Sequence, residues 1–127
     1  MWLRLLVVFL FAGSIACSVS KPAAVAEAEK TLPERIDFNW HVRPILSDKC
    51  FSCHGPDANT REAGLRLDFE DSAKGELPES HGKYAIVPGH LRGSELWYRI
   101  TAGDEEMRMP PGDSGLALTP EEIAILG

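Results

Sequence analysis

Cys50-Phe51-Ser52-Cys53-His54 is the stretch of this chain whose residue types and spacing best suit covalent chemistry. Two thiols three residues apart on one turn can add to the two vinyl groups on adjacent pyrroles of a haem. The imidazole that follows the second cysteine then reaches the iron. The thioethers hold the porphyrin, so neither the ring nor its histidine can drift away. On this reading Cys50 and Cys53 attach the cofactor, haem c, and His54 is the proximal iron ligand.

Other chemistries of the same residues fare worse. A structural zinc site takes four ligands. Cys50, Cys53 and His54 supply three, and His41, His81 and His90 have no finger-like spacing. A thioredoxin-type dithiol follows a strand and opens a helix. Here a helical pattern precedes the motif and Gly55-Pro56 follows it. A Cys50–Cys53 disulfide would close a trivially small loop.

The second axial position has four candidates: Met107, Met109, His81 and His90. Pro110 and Pro111 stiffen the chain after Met109, which lowers the entropy lost on fixing its sulfur. That favours Met109 as the distal ligand. Side chains two apart in an extended loop point the same way, so alternation does not decide between Met107 and Met109. Arg61, Arg66, Arg92 and Arg108 are candidate partners for haem propionates, Arg66 foremost. Tyr84, Trp97 and Tyr98 are candidates for the crevice wall, and serve equally well as ordinary core.

The motif must be held by the elements around it. Asp37 is a good N-cap, and Phe38, Val42, Ile45 and Leu46 follow at helical spacing. Pro44 kinks that helix or starts a new turn. Residues 70–83 are polar and read as loop with at most one helical turn. Ser94 is a candidate cap for a helix from Glu95 to about Thr101, with Leu96, Trp97 and Ile100 facing in. Residues 102–118 read as a long loop. Thr119-Pro120-Glu121-Glu122 is a capping-box start. Only Ile123 to Gly127 follow, so too little apolar face remains to dock. The domain is expected to be incomplete at its C-terminus.

The ends and the composition set the context. Residues 1–16 have one positive charge, an apolar run from Leu5 to Ala12, and small residues before Cys17. This is the layout of an export signal. Ser14-Ile15-Ala16 fits a cleavage site, and the same stretch with Cys17 resembles a lipobox, so a lipid anchor at Cys17 competes with a plain signal peptide. Residues 17–35 read as a tether with no core face, and the folded domain as 36–127. The chain has 127 residues and a net charge of −6. No basic surplus exists to displace phosphate counterions, so nucleic acid is a poor partner.

IDFNWHVRPILSDKCFSCHGPDANTREAGLRLD, AIVPGHLRGSELWYRI and RMPPGDSGLALTPEEIAIL together resemble the planctomycete-type cytochrome c domain. The resemblance covers nearly everything after the tether. It implies an all-α, cytochrome c-like helical fold around covalent haem c. By position it assigns Cys50 and Cys53 to attachment, His54 to the proximal site and Met109 to the distal site. It also implies an N-terminal module of a larger secreted protein. The expected function is one-electron transfer in the cell envelope or periplasm, with a redox partner protein. No paired carboxylates, nucleophile with a base, or phosphate loop suggests a substrate site. Two other readings stay open: an open sixth position doing peroxidase-like or ligand-sensing chemistry, and a structural module of a larger enzyme.

Overall fold

The structure, a computed structural model, describes residues 20–127. The export segment 1–16 and Cys17 lie outside the described residues. The described part holds six short helices: α1 (Ala23–Glu29), α2 (Arg43–Lys49), α3 (Phe51–His54), α4 (Glu70–Lys74), α5 (Glu95–Ile100) and α6 (Pro120–Leu126). An antiparallel hairpin, β1 (Glu76–Leu77) with β2 (Ser80–Tyr84), follows α4. The all-α expectation is therefore corrected to a mostly helical fold with one small hairpin. Gly82 sits at φ +75°, and its N–H donates to Glu76 Oε1 at 2.6 Å. That left-handed residue lies inside β2, where the register shifts between the Leu77–Ser80 and Glu76–Tyr84 pairs.

Asp37 does cap. Its Oδ1 accepts from the N–H groups of Asn39 and Trp40 at 2.9 and 3.0 Å. The turn it opens, Phe38–Val42, is a wide π-turn, and Pro44 lies in the first turn of α2. Proline has no N–H to donate, so the helix restarts there rather than running through. The wide turn leaves Phe38 exposed, against the expectation that it faces inward. Ile45 and Leu46 are buried as their spacing requires.

Two readings of the ends are corrected. The stretch expected to build no core face carries α1. Val25 is 3% exposed and packs with Trp97, Ile100 and Ala124, joined by Ala28 and Leu32. Val25 and Ala28 lie three apart on one face of α1, and Leu32 joins them from the turn that follows the helix. The α6 face expected to be too short to dock packs on α1 and buries Ala124. Its capping box is complete: Thr119 Oγ1 accepts from Glu122 N–H at 3.2 Å, and Glu122 Oε2 accepts from Thr119 N–H at 2.7 Å. A second core cluster contains Leu46, Leu67, Ala73 and Ala85, and Leu126 packs against both clusters.

Candidate functional site

The backbone of the motif is a helical turn set off from α2. Cys50 closes α2 with an N–H bond to Leu46 O at 2.9 Å. Its own carbonyl accepts from Cys53 and His54 at 3.2 and 2.8 Å. The next loop folds back over this turn. Glu62 N–H donates to Cys53 O at 2.9 Å, and Leu67 N–H to His54 O at 2.8 Å. Carbonyls that end a helix lack intrahelical partners, and here the loop supplies them. Arg61 completes the return through Gly55 O and Pro56 O, at 3.4 and 3.0 Å.

Gly55 is required where the loop departs. A Cβ there would lie 2.3 Å from Phe51 O and 2.8 Å from Phe51 Cβ. Gly55→Ala must shift the backbone at His54. Overpacking of this kind costs about 1–3 kcal/mol. Chemical unfolding of the haem-loaded protein should show that loss. Gly103→Ala, with open space around it, should show none. Equal midpoints for the two variants would contradict the close approach.

Cys50, Cys53 and His54 border an apolar crevice. Leu65 and Leu67 line it from the returning loop, Leu96 and Ile100 from α5, and Leu116 and Leu118 from the stretch before α6. Both thiols are free and half-buried. Burial pushes the Cys50 thiol up to about 11, so it is protonated at neutral pH. Burial also pushes the His54 imidazole down, and the Glu62 and Leu65 carbonyls offset part of that. Nδ1 of His54 is nevertheless buried with no hydrogen-bond partner. A half-buried imidazole with an unpartnered Nδ1, beside two free thiols on an apolar wall, offers nitrogen and sulfur at one side of the crevice. Among the described residues no three His, Cys, Asp or Glu side chains gather into a metal cage. These residues fit a covalently held macrocycle that brings its own metal.

Of the four distal candidates, Met109 borders the crevice. Its N–H donates to Arg99 O at 3.0 Å, and the Met109–Pro110 peptide is cis. Met107 does not line the crevice. Its carbonyl accepts from Arg99 Nη1 at 3.0 Å, and its sulfur lies 3.8 Å from the same nitrogen. His81 is exposed on β2 with Nδ1 3.5 Å from Glu76 Oε1, and His90 is exposed on a turn. His41 Nδ1 accepts from Asp37 N–H at 2.8 Å.

Two further expectations are corrected. Arg61, Arg66, Arg92 and Arg108 do not border the crevice. Arg66 pairs with Asp68 at 2.6 Å and lies 5.5 Å from the Phe69 ring centroid. Arg108 pairs with Glu105 at 3.2 Å. The cations on the wall are Lys49 and Arg99, which the sequence reading passed over. Glu95, Leu96, Arg99 and Ile100 share one face of α5, so Leu96 and Ile100 could have pointed to Arg99. Tyr84, Trp97 and Tyr98 do not wall the crevice either. Trp97 turns to the α1–α6 side, and the two tyrosines are exposed. Ser94 heads α5 without a side-chain cap, because its Oγ is bonded to Val87 and His90 instead.

A family model described as Planctomycete cytochrome C matches residues 50–113. No curated protein and no solved structure matches the chain.

Proposed function

Because this chain belongs to the planctomycete cytochrome C family, we propose that it is a one-electron carrier of the cell envelope. The family implies covalently bound haem c, and the chain is a haem-binding domain. The observation that carries the proposal is the shared crevice. Cys50, Cys53 and His54 border it from one segment, and Met109 borders it from the loop after α5.

In this reading Cys50 and Cys53 would hold the haem through thioethers, and His54 and Met109 would supply the nitrogen and sulfur donors to its iron. Bound haem supplies a one-electron Fe(III)/Fe(II) couple. The leucines and Ile100 keep water from the ring and lower the local dielectric. Lys49 would offer positive charge to the propionates. His54, held neutral by burial, keeps a nitrogen lone pair for the metal.

The same reading has the chain exported, by residues 1–16, to meet a redox partner protein, with Cys17 as a lipid attachment point. Among the described residues no helix is long and apolar enough to cross a membrane. Absorbance spectra of exported protein, with and without dithionite and then with carbon monoxide, test the function. Reversible reduction with little carbon monoxide binding is the expected result. Rapid carbon monoxide binding by the reduced wild type would favour an open sixth position over a carrier.

A further inference from the structure

We propose that Arg99 is a positioning residue that latches the methionine loop to α5, presenting Met109 to the crevice while withdrawing Met107; this rests on the reading of Met109 as the axial ligand. The loop over 104–109 has little grip of its own. Asp104 Oδ1 accepts from Glu106 N–H at 3.0 Å, Asp104 O accepts from Met107 N–H at 3.2 Å, and Glu105 pairs with Arg108. All three contacts are local, and residues 103–106 are exposed. The hydrogen bonds that tie this loop to the rest of the described chain converge on Arg99.

Arg99 holds the loop at two points. Its main-chain carbonyl, at the end of α5, takes the Met109 N–H at 3.0 Å. Its guanidinium reaches the Met107 carbonyl at 3.0 Å and the Met107 sulfur at 3.8 Å. One residue therefore satisfies a donor at 109 and an acceptor at 107. Among the described residues no carboxylate pairs with Arg99, so nothing acidic competes for its donors. A cation in the last turn of α5 also suits the helix dipole. With its sulfur at the guanidinium, Met107 is off the crevice wall, and Met109 is the methionine on it.

The main-chain bond survives any substitution at 99, but the guanidinium bonds do not. Arg99→Met in the haem-loaded protein isolates them. Amide exchange over 104–109 should accelerate about tenfold, as expected for losing a charge-assisted bond that holds a loop. The far-red sulfur-to-iron band of the oxidised protein should weaken, and carbon monoxide should bind after reduction. Arg99→Lys restores the charge but not the fork, and should fall between the two. It also serves if Arg99→Met does not fold. Exchange within roughly twofold of wild type in the variant that folds overturns the latch. Faster exchange with an unchanged band overturns its role at the metal. Met109→Ala separates the two layers. A band lost in Met109→Ala but kept in the Arg99 variants sinks the latch alone. A band kept in Met109→Ala sinks the Met109 reading and the latch with it.

Discussion

Protein matured outside the cytoplasm with Cys50→Ala and Cys53→Ala together should carry no covalent haem. The wild type should keep its colour through denaturation and acid-acetone extraction. The effect is all-or-none because, among the described residues, no other cysteine borders the crevice. Haem held only by axial bonds is in equilibrium with solution, whereas a thioether is not broken by unfolding. Each single alanine variant should retain one bond and yield less loaded protein. Haem that acid-acetone extracts from the wild type would refute the attachment chemistry, whatever else the crevice binds.

Met109→Ala should erase the far-red band of the oxidised protein, lower the reduction potential and let carbon monoxide bind after reduction. Thioether ligation favours Fe(II). Axial ligands move haem potentials over roughly 0.8 V in all, and losing this one should shift it by on the order of 0.1 V. Met107→Ala should leave the band in place and change the potential far less, since that side chain touches Arg99 rather than the crevice. The reverse pattern would move the ligand to Met107. Two silent variants would leave the iron to water or a histidine, and His81 and His90 would then have to leave the surface.

The turn that carries the motif was legible because its contacts are local, Cys50 O taking the Cys53 and His54 N–H groups. Cys50, Cys53 and His54 must sit at that spacing on one turn whatever surrounds them. The capping box at Thr119 was legible for a similar reason, since four adjacent residues contain the whole interaction. The misses depend on distant partners. α1 shows only Val25 and alanines, with Leu32 just beyond it, and this weak face becomes core when α6 lies against it. The hairpin rests on Gly82 and on Glu76 reaching across to it, with little alternation to announce it. Trp97 and Tyr98 are adjacent on α5, yet one is buried toward α1 and the other is exposed. Arg99 holds two loop atoms through a fold that brings the end of α5 to residues 107 and 109, and no local pattern encodes that meeting.

Ile100 belongs to the core cluster with Val25, Trp97 and Ala124, and it also lines the crevice. Leu96 and Leu118 have the same double membership. The outer helix pair is thus the rear insulation of the crevice. Any transient parting of α1 from α6 wets that lining from behind, with no change at the mouth. Water there raises the local polarity, which stabilises the ferric charge and shifts the potential downward. With haem in the crevice, thermal breathing at α1 would become electrical noise, and tighter packing around Val25 would quiet it.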